Sequence, residues 1–144
     1  MDYKNNANIQ RAIIIDNYEN PDKKIKDDFS NEDYKSYNFS SDSCIDNLTI
    51  FMKINNNKIV DCLFNGIGCA VSTSSANIMC NLLANKTSEQ AFLIIENYEK
   101  MLAAEKYDEE IIEELNVFSN IHNQPNRIKC AKISSESVKR ILKG

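Results

Sequence analysis

Tryptophan is missing from the 144 residues and histidine occurs once, as His122. The lack of tryptophan, beside abundant Asn, Ile and Lys, fits an AT-rich coding sequence and carries little structural meaning. No apolar run approaches the roughly 20 residues of a membrane helix. The opening MDYKNNANIQ is polar and mixed in charge, without the charged-then-apolar pattern of a signal peptide. The protein is therefore expected in the cytoplasm, where thiols stay reduced. An excess of basic charge is absent too: the formal net charge is -4. This argues against a nucleic-acid or anionic-membrane binder, whose footprint is basic. There is also no Cys-x-x-Cys.

What is present suits one soluble domain over residues 1–144. Hydrophobic residues make up 42% and charged residues 26%, so a core forms without disulfide staples. No repeat or linker divides the chain. Acidic side chains crowd the first third (Asp16, Glu19, Asp22, Asp27, Asp28, Glu32, Asp33). Basic ones crowd the end (Arg127, Lys129, Lys132, Lys139, Arg140, Lys143) against Glu136 alone. Solvated helix faces account for most of these; a docking surface for an acidic protein is the functional alternative.

Hydrophobic periodicity gives the elements. Residues 10–20 read as a helix with Ile13, Ile14 and Tyr18 on one face, stopped by Pro21. Residues 22–35 read as a surface loop. Tyr37 and Phe39 suggest a short strand. Residues 47–54 and 58–65 form a hairpin around Asn55, Asn56 and Asn57, with Val60, Cys62 and Phe64 on one face. Helices follow over 72–83, capped by Ser72 or Thr73, and from Thr87 or Ser88 to 106. Further helices cover 108–118 and, after a polar loop at 119–126, 127–142. The fold class is α+β: a small three-stranded antiparallel sheet packed with helices.

Five cysteines in a reducing compartment point to metal binding or catalysis before disulfides. Cys44 lies in a Ser-rich loop, with Asp46 two residues on. Cys69 lies between Gly68 and a helix start, where amides and the helix dipole favour a thiolate. Cys130 falls in the first turn of the last helix, and nearby Arg127 and Lys129 are expected to lower its pKa. Three thiolates and one carboxylate make a plausible tetrahedral zinc set, more exchangeable than four thiolates. The dispersed spacing alone leaves buried thiols as the alternative. Cys62 and Cys80, on apolar faces, are read as core residues. His122, in the polar NIHNQPN, is read as an exposed loop residue rather than a ligand or base.

SDSCID, NGIGCAVSTSSA and NRIKCA, in that order, resemble the IscU/NifU-like iron–sulfur assembly family, and IIDNYENP resembles its first helix. The chain is most similar to the SufU branch. It has an added helical segment between Cys69 and Cys130, and Lys129 stands where IscU-type scaffolds carry histidine. QPNRIK stands in place of the IscU branch's LPPVK. The resemblance implies an iron–sulfur cluster biogenesis protein holding zinc through Cys44, Asp46, Cys69 and Cys130. Cys44 would accept sulfur from a cysteine desulfurase, with Arg127 as a supporting residue, and pass it to downstream assembly or acceptor proteins. This is accessory sulfur-transfer chemistry rather than that of a stand-alone enzyme. The alternative it implies is a scaffold holding a transient iron–sulfur cluster on Cys44, Cys69 and Cys130. A structural zinc module for protein interaction is the third reading. Ile45 departs from the glycine usual between the first Cys and Asp.

Overall fold

The computed structural model describes residues 3–26, 28–40 and 45–144. Among them, five α-helices accompany a three-stranded antiparallel sheet of order β1-β2-β3, as the α+β reading expects. The strands are β1 (Lys35–Ser40), β2 (Asn47–Asn55) and β3 (Lys58–Ile67).

β2 and β3 turn through Asn56 and Asn57, both at positive φ (52° and 64°), a conformation asparagine tolerates. The core face of β2 carries Leu48, Ile50 and Met52, all buried. On β3 the inward set is Ile59, Cys62 and Phe64, and Val60 is exposed, contrary to the strict alternation. The register explains this: Lys53 pairs with Asp61, but Ile54 pairs with Ile59. The bulge leaves Val60 unpaired and reverses the facing of the strand's first residues.

α1 (Ala7–Glu19) begins earlier than its apolar pattern indicates, because the Asn6 side chain accepts from the amides of Asn8 and Ile9. It lies shallowly. Ile13 and Ile14 are half-buried, Tyr18 is exposed, and the buried residue is Gln10. α3 (Ser88–Leu102) opens with a capping box between Thr87 and Gln90. It ends four residues before the expected limit, where Ala104 takes φ 60°. The expected helix over 108–118 is α4 (Glu109–Ile112) followed by a 3-10 segment, Glu113–Phe118. A shorter 3-10 turn, Ile121–Asn123, replaces part of the polar loop.

α5 (Pro125–Lys143) starts two residues early. Proline suits the first helical position, where its missing N–H is not needed. α5 crosses α2 (Ala70–Leu83) through small residues, and Ser72, Ser74, Ser75, Ser134, Ser135 and Ser137 are all buried. Each buried hydroxyl needs a partner. Ser75 Oγ lies 2.7 Å from Ser134 Oγ and 2.9 Å from the Tyr98 hydroxyl. Tyr98 donates to the Ala131 carbonyl at 2.8 Å. This knot ties α2, α3 and α5 together one residue from Cys130. Ser75→Ala removes its hub, and the expected loss is about 1–2 kcal/mol of unfolding free energy, read from urea denaturation of the metal-free protein.

Candidate metal centre

The hairpin brings two of the singled-out residues to one end of the sheet. Asp46 precedes β2, Cys69 follows β3, and Asn47 pairs with Ile67 between them. Gly66 makes this approach possible. It sits at φ 116°, and a Cβ there would lie 2.1 Å from the Asn47 carbonyl oxygen. Gly68 is also demanded by space, since its Cβ would meet Ser72 Oγ at 2.4 Å and Asp46 Oδ1 at 3.2 Å.

α2 begins at Ala70, with Cys69 itself as N-cap rather than Ser72 or Thr73. The Ser72 amide donates to Cys69 Sγ at 3.4 Å. Asp46 is 2% exposed, a costly place for a carboxylate unless it is hydrogen-bonded. Its Oδ1 accepts from the Cys69 amide at 2.9 Å and the Ser72 hydroxyl at 2.8 Å. Its Oδ2 faces the third residue, accepting from the Cys130 thiol at 3.5 Å. One oxygen is anchored on the helix start and the other is presented to the thiols.

Cys130 comes from α5, in its second turn rather than the first, because the helix starts at Pro125. Its thiol is pushed up to about 12, first by burial and then by Cys69 and Asp46 beside it. The basic neighbours do not lower it: Arg127 and Lys129 are exposed, and charges in water act weakly on a group inside. In the metal-free protein the alkylation rate of Cys130 is accordingly expected to keep rising above about pH 8.5, where a free cysteine is half ionised. Peptide mapping across a pH series measures it.

Ligand atoms of Asp46, Cys69 and Cys130 all lie within 4.8 Å of one another. Tetrahedral zinc with Zn–S near 2.3 Å and Zn–O near 2.1 Å sets its ligands about 3.5–3.8 Å apart. The Cys130–Asp46 separation of 3.5 Å already meets this. Two thiols and a carboxylate also suit zinc chemically, so the three residues can hold a metal ion. Cys44 lies outside the described residues. Arg127 stands on the first turn of α5, at a cleft of about 390 Å³ shared with Arg11, Ala70 and Val71. His122 is exposed in its 3-10 turn, with Nδ1 2.9 Å from the Ser119 carbonyl. Ser72 is the site residue that sequence reading took only for a cap. Its place three residues after Cys69, on the helix face toward Asp46, was the available signal.

The fold and this cluster define an α+β domain with two thiols and one carboxylate, a group able to hold a metal ion, gathered at one end of a hairpin. The chain belongs to the family of NifU-like N-terminal domains, which it matches over residues 9–139. It is 34% identical over 101 residues to the iron–sulfur cluster assembly scaffold protein IscU of Thermotoga maritima, covering 70% of this chain and 71% of that one. It is 28% identical over 140 residues to the zinc-dependent sulfurtransferase SufU of Bacillus subtilis, covering 94% and 92%. A similar solved structure is the iron–sulfur cluster assembly scaffold protein for the SUF system from Fervidobacterium islandicum AW-1. Its TM-score is 0.79 at 27% identity, covering 90% of this chain and 93% of that one. The near-complete match to SufU fits the branch that the sequence motifs indicate. No helix among the described residues is long and apolar enough to cross a membrane.

Proposed function

We propose that this chain serves iron–sulfur cluster biogenesis in the cytoplasm as a zinc-bound sulfur acceptor for a cysteine desulfurase. The observation that supports it most is the Asp46 carboxylate, anchored through Oδ1 and turned through Oδ2 toward Cys130, with Cys69 alongside. With Cys44 as fourth ligand, this donor set is that of an exchangeable zinc site. Zinc bound there would keep its thiols deprotonated at neutral pH.

Cys44 is the residue assigned to the chemistry. Its thiolate attacks the outer sulfur of a persulfide on the desulfurase. A new S–S bond forms as the old one breaks, and the partner's cysteine leaves as a thiolate. Cys44 then carries the sulfane sulfur and passes it to a downstream assembly or acceptor protein. Arg127, exposed on α5, would meet an acidic group of the partner or steady the thiolate. Ile45 and Ile67 border the site and are 71% and 66% exposed, an apolar rim that a docking protein would cover.

Assay with a cysteine desulfurase and cysteine tests this. The zinc-loaded chain is expected to raise desulfurase turnover and to gain the mass of one sulfur on Cys44. Unchanged turnover with no added sulfur would overturn the reading. The second reading, a scaffold for a transient iron–sulfur cluster, has the scaffold relatives in its favour. Thiolates of Cys44, Cys69 and Cys130 would hold the cluster.

A further inference from the structure

Two thiols stand outside the site and take no part in it. Cys62, on β3, and Cys80, on α2, are fully buried. The Cys62 thiol donates to Cys80 Sγ at 3.3 Å. A disulfide requires about 2.05 Å between sulfurs, so the pair needs a further approach of only ~1.2 Å. Neither thiol is claimed by a metal group among the described residues. The core around them is apolar, with Ile59 and Phe64 on the same strand face and Met79 beside Cys80. The segment over 22–25 covers this region: the Lys23 amide donates to Asn77 Oδ1 at 2.9 Å and the Ile25 amide to the Phe64 carbonyl at 2.8 Å.

We propose that Cys62 and Cys80 form a redox site, closed into an intramolecular disulfide by a small uncharged hydroperoxide. Burial selects the oxidant. A bulky disulfide such as oxidised glutathione cannot reach sulfurs with no exposed surface, whereas hydrogen peroxide can enter through local opening. One sulfur attacks the peroxide O–O bond, giving a sulfenic acid and releasing water. The other sulfur then attacks that sulfur, forming the S–S bond and releasing a second water. Two thiols and one hydrogen peroxide thus yield one disulfide and two waters. Burial, with the Cys62 thiol beside it, also pushes the Cys80 thiol well above its ordinary range. This keeps the reaction slow and dose-dependent rather than spontaneous.

The bond would join β3 and α2, the two elements that flank Gly68 and Cys69. Oxidation would therefore clip sheet to helix around the metal centre without consuming its ligands. The closed loop, residues 62–80, constrains the unfolded chain and stabilises the folded one.

The test exposes the protein as purified to hydrogen peroxide, then denatures, alkylates and maps it. The expected product is a disulfide joining the Cys62 and Cys80 peptides, two hydrogens lighter, with a raised melting temperature. Cys62→Ala and Cys80→Ala each prevent it. Full alkylation of Cys62 and Cys80 at the highest peroxide dose that leaves the protein folded would overturn the proposal. So would sulfinic acid at either position in place of the disulfide.

Discussion

Zinc affinity is expected to fall at least about a hundredfold when Cys69 is replaced by serine, with little loss of stability in the metal-free chain. The two effects separate because Cys69 does two things. As N-cap of α2 its sulfur accepts from the Ser72 amide at 3.4 Å. Serine does this at least as well, since hydroxyl oxygen is the better acceptor and serine is a preferred cap. As a member of the metal group its sulfur lies within 4.8 Å of the Asp46 and Cys130 ligand atoms. Serine fails there, because its hydroxyl stays protonated at neutral pH and is no soft donor. Unfolding free energies of the two metal-free proteins from urea denaturation should agree within about 0.5 kcal/mol. Competition with a chromogenic chelator gives the affinity. Equal zinc affinities would remove Cys69 from the ligand set.

Cys44→Ala is expected to abolish sulfur acceptance, a loss of the whole activity, while zinc remains bound more weakly. Asp46 and Cys130 each have supports among the described residues. Asp46 is anchored by the Cys69 amide and Ser72, and Cys130 by a helix locked through Ser75, Ser134 and Tyr98. In the proposed four-ligand set, losing Cys44 should therefore weaken the site without dispersing it. Mass spectrometry after desulfurase treatment measures the sulfur, and the chelator titration measures the zinc. A Cys44→Ala protein that still gains sulfur moves the acceptor role to Cys69 or Cys130.

The sheet and the helices following it were legible because they obey simple periods. Leu48, Ile50 and Met52 alternate as a half-buried strand must. Ala91, Ile95, Tyr98 and Leu102 recur at helical spacing. Val60 misled because a bulge between Lys53 and Ile54 shifts the facing, and a strand's own sequence does not encode its partner's register. Tyr18 misled because α1 rests shallowly on the domain, anchored by the buried amide of Gln10 through Ser119 and the carbonyls of Tyr3 and Lys4. The 3-10 segment at 113–118 carries the apolar spacing of an ordinary helix, and the one at 121–123 is too short and polar to show any spacing.

The site was legible in its parts and not in its assembly. Cys69 at a helix start and Asp46 before a strand could be placed from local pattern. Their meeting depends on Gly66 at φ 116° and on β2–β3 pairing, both long-range facts. Charge along the sequence points the pKa of Cys130 the wrong way. Burial, which raises it, exists only after α5 packs. Ser72 was seen as a cap because its second partner, Asp46, stands 26 residues away in the chain.

Elemental analysis of the protein purified without added metal, with its visible spectrum, tests the central claim most directly. About one zinc per chain and a colourless solution is the predicted result. Iron with acid-labile sulfide and a brown solution would contradict it and make the site a cluster scaffold.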